Sequence, residues 1–151
     1  VIHATIAHVM IRVLDFERSK RFYGALGMRE TDRYAFDDFR VCYLSSDGGA
    51  EIELIENIGR SEPYRHGEGF GNVAFTVPDA KSCREALLAV GAEARPIKEM
   101  QYDGRLLARY FHAFDPDGYR LEILEEIGRW RRPRFDRPSS QQNNAKGSIA
   151  P

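Results

Sequence analysis

The chain has 151 residues, of which 42% are hydrophobic, with a formal net charge of −1 and a sequence pI near 6.5. That size suits one domain, or two small modules on a shared core, and the charge gives no general pull toward nucleic acid or an anionic membrane. No apolar run is long enough to span a bilayer and no basic-then-apolar leader opens the chain, which leaves small molecules and other proteins as partners.

Residues 5–13 alternate Val9, Ile11 and Val13 with His8, Met10 and Arg12, the period of a strand with one face toward a core and one toward something polar. Asp15 is a good N-cap for a helix over 16–26, where Ser19, Phe22, Tyr23 and Leu26 fall at helical spacing before Gly27. Strands are expected over 28–34, 39–45 and 51–57, punctuated by Asp37-Asp38 and Asp47-Gly48-Gly49. A second strand-helix pair follows at 70–77 and after Asp79, with Cys83, Leu87 and Val90 as the expected buried stripe. Strands near 93–99, 106–114 and 119–125 close the series, the last two joined by the tight-turn sequence Asp115-Pro116-Asp117-Gly118. Cys42 and Cys83, without CxxC spacing, read as free thiols of a reducing cytoplasm.

The two halves repeat one another. His8 through Asp15 corresponds to Asn72 through Asp79 at an offset of 64 residues, and Gly27 corresponds to Gly91. The segment from Gly49 to Glu56 answers Gly118 to Glu125, so five extra residues enter between, in the loop around 100–105. The expected fold class is α+β: two βαβββ modules, about 5–57 and 70–126, forming a curved mixed sheet around a metal or ligand cup with helices outside. The repeat-bearing domain covers 1–127. From Gly128 the composition changes to a segment with five arginines, Trp130 and Phe135, expected to pack as a basic arm, and 139–151 reads as flexible linker.

Strand parity places His8 and Arg12 on one face, Glu53 and Asn57 on the matching face of their strand, and Asn72, Thr76 and Glu122 on the corresponding face of the second module. An imidazole and two carboxylates gathered over a floor of Met10, Ile55, Ala74 and Leu124 suit a divalent transition metal that keeps open positions; without a cation, two buried carboxylates would force one to take up a proton. Each residue alone has an ordinary reading as a surface strand residue, but independent surface residues have no reason to fall at corresponding places in both copies. His66, in a Gly-rich loop, is a poor stand-in for a histidine at position 72. His3 and His112 read as structural or surface residues, His112 sharing parity with Glu122 but lying on the preceding strand.

Over about 5–126 the chain resembles the vicinal oxygen chelate superfamily and, within it, glyoxalase I (lactoylglutathione lyase). The resemblance rests on His8-Val9-Met10-Ile11-Arg12-Val13 with Arg18 to Tyr23 and Leu26-Gly27-Met28, on Gly69 to Val77, and on Asp115-Pro116-Asp117-Gly118-Tyr119 with Leu121-Glu122. Asn72 stands where the family has histidine. The resemblance implies His8, Glu53, Asn72 and Glu122 as metal ligands, with Ni or Co favoured and Zn as an alternative. It implies Glu122 as main base with Glu53 as partner carboxylate, and Arg12 and Asn57 holding the γ-glutamyl end of glutathione. The implied reaction turns the hemithioacetal of glutathione and methylglyoxal into S-lactoylglutathione, in a homodimer whose sites draw His8 and Glu53 from one subunit and Asn72 and Glu122 from the other. Alternatives left open are another metalloenzyme of the superfamily, such as an epimerase, and a metal-free small-molecule binding protein. Iron-dependent extradiol cleavage would need a second histidine at position 72.

Overall fold

The computed structural model describes residues 2–46 and 49–131. The Asp47-Gly48 part of the expected turn and the extension from Arg132 onward lie outside them.

The first module runs β1 (His8–Val13), α1 (Phe16–Ala25), β2 (Arg29–Ala35), β3 (Phe39–Ser45) and β4 (Glu51–Asn57). β1 pairs parallel with β4, and β4, β3 and β2 continue antiparallel, giving a four-stranded sheet in the order β1-β4-β3-β2. The second module runs β5 (Val73–Val77), α2 (Ala80–Ala89), β6 (Glu93–Ala94), β7 (Lys98–Tyr102), β8 (Arg105–Phe114) and β9 (Arg120–Glu125). Its sheet follows the same plan, β5-β9-β8-β6 with β7 also paired to β8. The architecture is α+β with two mixed sheets, one per module, rather than a single continuous sheet.

Local chemistry explains the boundaries. Asp15 and Asp79 accept hydrogen bonds from the amides of Arg18 (2.7 Å) and Ser82 (2.6 Å), so each helix starts with a carboxylate on its orphan N–H groups. Gly27 and Gly91 follow the helices at φ 81° and 80°, the left-handed conformation that ends a helix at little cost to glycine. The expected strand over 93–99 divides into β6 and β7 around Pro96, which has no N–H to give to a ladder. The five extra residues lengthen the β7–β8 hairpin, whose turn at Asp103-Gly104 has φ of 51° and 70°.

Parity decides what is buried. Ile11, Val13, Leu54, Phe111, Leu121 and Ile123, from both sheets, meet Phe16, Phe22, Tyr23 and Leu87 of the helices in one core. Each fully buried side chain of this size contributes about 1.5–3 kcal/mol of transfer free energy. Leu87 is buried as expected and Cys83 is half-buried, but Val90 is 48% exposed, because α2 ends at Ala89 and Val90 turns out of the stripe as the C-cap. Since the helix-side faces of both sheets feed this shared core, their polar faces lie on its outer side.

The β8–β9 turn fastens the modules together. Asp115 accepts from the Tyr23 hydroxyl (3.0 Å) and from the amides of Asp117 (2.9 Å) and Tyr119 (2.8 Å). Asp117 accepts from the Leu14 amide (3.1 Å) and pairs with Arg18 at 2.8 Å, while the Tyr119 hydroxyl accepts from the Arg12 amide at 3.2 Å.

Candidate metal and substrate site

In the first module β1 and β4 lie side by side in parallel, with Met10 opposite Glu53 and Arg12 opposite Ile55. Parity turns His8, Met10 and Arg12 to the outer face while Val9, Ile11 and Val13 turn inward, a division visible in their burial. His8 then reaches diagonally to Glu53, its Nε2 3.1 Å from Glu53 Oε2. The other carboxylate oxygen, Oε1, accepts from the Tyr43 hydroxyl at 2.7 Å, and the His8 and Tyr43 rings meet edge to face at 5.9 Å. The hydrogen bond to Glu53 raises the Tyr43 pKa above its ordinary value, which keeps the hydroxyl a donor. Tyr43 was not expected from the sequence. Its signal was parity: it sits opposite Glu53 in the β3–β4 register and faces the same way.

The second module presents the equivalent face differently. Glu122 lies opposite Ala74 on β5 and opposite His112 on β8. It is half-buried, and among the described residues its carboxylate has no hydrogen-bond or ion-pair partner. Asn72, expected inside a strand over 70–77, instead precedes β5 and is exposed, bordering a cavity of about 490 Å³ with Ile6, Glu51 and Phe70. The ladder reaches no further back than Val73–Leu121, and the segment before it is held by a side chain: Arg120 Nε donates to the Gly71 carbonyl at 3.2 Å. His66 is committed elsewhere. It stacks on Tyr119 with ring centroids 4.0 Å apart, and Tyr119 packs against the core just ahead of β9.

The structure therefore brings together His8 and Glu53, and Glu122 does not join that pair in one cluster among the described residues. Among the described residues no group of three metal-ligating side chains converges within the chain. The donor chemistry nevertheless suits a divalent ion in two parts: one half offers an imidazole and an oriented carboxylate, the other an unpartnered, half-buried carboxylate that a cation would satisfy.

Arg12 and Asn57 stand four residues beyond His8 and Glu53 on the same face, about 13 Å along the strands at 3.3 Å per residue. Arg12 is exposed and Asn57 half-buried. That face carries apolar side chains open to solvent, including Met10 (40% exposed) and Tyr34 (52%). Cys42 and Cys83 are free thiols, and burial pushes both up to about 11. No helix of the described residues is long and apolar enough to cross a membrane.

Residues 5–123 match the family model described as the Glyoxalase/Bleomycin resistance protein/Dioxygenase superfamily. Among curated relatives, a lactoylglutathione lyase of Haemophilus influenzae is 36% identical over 130 residues, covering 80% of this chain and 91% of the relative. Among solved structures, the trypanothione-dependent glyoxalase I of Leishmania major superposes with a TM-score of 0.67 at 29% identity, covering 82% of this chain and 88% of that one. Glyoxalase I of Zea mays superposes with a TM-score of 0.70 at 25% identity, covering 79% of this chain and 43% of that one.

Proposed function

Because this chain belongs to the Glyoxalase/Bleomycin resistance protein/Dioxygenase superfamily, we propose that it is a lactoylglutathione lyase-type enzyme, a glyoxalase I that isomerises a thiol–methylglyoxal hemithioacetal to the S-lactoyl thioester. The observation that carries the reading is the pair His8–Glu53, held 3.1 Å apart with Tyr43 fixing the carboxylate, together with Glu122 at the repeat-equivalent position.

A divalent metal ion is the cofactor that membership of this branch implies, and Ni or Co, with Zn as the alternative, fits a mixed imidazole and carboxylate set. His8, Glu53, Asn72 and Glu122 would hold it. When bound, it would supply Lewis-acid polarisation of the substrate's oxygen functions, which makes the C–H beside them more acidic. Glu122 would remove the proton from C1 and deliver the same proton to C2, with Glu53 as the partner carboxylate within reach of it. The hydroxyl proton of C1 moves to the oxygen of C2, so reactant and product are isomers. Tyr43 leaves Glu53 one free oxygen by occupying the other. Arg12 gives a paired hydrogen bond to a terminal carboxylate of the thiol, and Asn57 adds amide contacts.

The outward placement of both polar faces supports a homodimer in which His8 and Glu53 of one subunit meet Asn72 and Glu122 of the other, with the open apolar side chains Met10 and Tyr34 covered by the partner. The two thiols of high pKa and the glutathione-type substrate fit a reducing, cytoplasmic setting.

Metal analysis of protein purified without added metal, followed by titration with Ni, Co and Zn, tests the proposal through conversion of preformed glutathione and trypanothione hemithioacetals. Turnover that rises with bound metal is expected. Protein that binds none of the three ions and turns over neither substrate would refute it.

A further inference from the structure

The repeat places a second imidazole beside the unpartnered carboxylate. Tyr43 and His112 are separated by the same 69 residues as Glu53 and Glu122. The registers agree: Tyr43 lies opposite Glu53 on β3 and β4, and His112 lies opposite Glu122 on β8 and β9. In the first module this cross-strand pair is closed by the 2.7 Å hydrogen bond from Tyr43 to Glu53. In the second, neither the Glu122 carboxylate nor the ring nitrogens of His112 has a hydrogen-bond partner among the described residues. Directly opposite residues of an antiparallel pair have Cβ atoms about 4.5–5.5 Å apart, within which an imidazole nitrogen and a carboxylate oxygen can share one ion. Asn72, by contrast, is exposed and lies outside the β5–β9 ladder, which begins at Val73.

Resting on the metalloenzyme reading above and revising one of its four ligands, we infer that His112 takes the place given there to Asn72 and supplies the second nitrogen ligand of the metal site, from a neighbouring strand. Imidazole is the better donor to Ni, Co or Zn than a neutral amide oxygen, so the substitution at position 72 leaves the site with two imidazoles and two carboxylates.

The test loads the full-length wild-type protein with one Co(II) per site and counts hyperfine-shifted imidazole N–H resonances by NMR. It then compares Co(II) affinity across wild type, His112→Phe and Asn72→Ala. Two imidazole N–H signals are expected in wild type and one in His112→Phe, with affinity reduced about tenfold or more in that variant and changed less in Asn72→Ala. A single imidazole signal in the wild type, which needs no variant to fold, would overturn the inference. So would a greater loss of affinity in Asn72→Ala than in His112→Phe. Wild-type protein that binds no Co(II), Ni or Zn would overturn the inference together with the metalloenzyme reading, whereas binding with one imidazole overturns the inference alone.

Discussion

Glu53 and Glu122 occupy equivalent places in the repeat yet stand in different surroundings, and under the proposed function the difference would divide their tasks. Glu53 is engaged by His8 and Tyr43, which suits a ligand whose orientation is fixed in advance; Glu122 is half-buried without a partner among the described residues, which suits a group that must gain and lose a proton. Glu122→Gln keeps the shape and removes the base, so turnover should fall by at least about a hundredfold while Ni or Co remains bound. Steady-state assay beside metal analysis checks this, and unchanged turnover would remove Glu122 as the base. A second residue prediction concerns Asp115, which burial pushes up to about 6, against the lowering effect of its bonds from the Tyr119 amide and the Tyr23 hydroxyl. A folded-state value above the ordinary 3.8 means that protonation favours the folded form. This contribution is complete below about pH 4 and is lost as pH rises through about 6. Asp115→Asn should therefore flatten the fall in urea midpoint between those pH values, and an identical slope in both proteins would contradict it. His8 and Glu53 were legible in the sequence because a strand's period of two is strict. Tyr43 was not, because its role depends on cross-strand register, which a single strand's pattern does not contain. Asn72 was located by the repeat, but its position ahead of β5 reflects where the ladder ends.

The elements follow their local signals closely where a cap or a turn residue fixes them. Asp15 and Asp79 start both helices as read, and β3 and β4 run over the expected residues. The failures have specific causes: Pro96 divides one expected strand, β1 begins at His8 rather than at residue 5, and Val90 leaves the apolar stripe at the helix end. Gly128 is an element-scale constraint. It begins the single 3₁₀ turn that ends the described chain, at φ 54°, and a Cβ there would lie 2.5 Å from the Leu107 carbonyl oxygen and 2.8 Å from that of Leu106. Both are backbone atoms of β8 and cannot step aside. Gly128→Ala should cost about 1–3 kcal/mol by chemical denaturation, since the turn must lift off the strand. A stability equal to wild type would show that the turn does not dock on β8 in solution.

At the scale of the molecule, one core is built from the helix-side faces of both sheets, and this turns the two polar faces away from it. The repeat and the α+β class were legible from the 64-residue offset and the periodicities. The division into two sheets was not, because sequence periodicity specifies which face is apolar but not what that face meets. On the proposed reading, two half-sites in one chain, His8–Glu53 in one module and Glu122 with its neighbours in the other, would make a working centre only when two chains combine them. Subunit complementation tests this directly. Glu53→Gln and Glu122→Gln should each be nearly inactive alone. Mixed by co-refolding or co-expression with Ni or Co present, they should form heterodimers in which one site carries both substitutions and the other carries neither. Random pairing would restore about a quarter of wild-type thioester formation. No activity at any mixing ratio, with heterodimers shown to be present, would contradict a site shared between subunits.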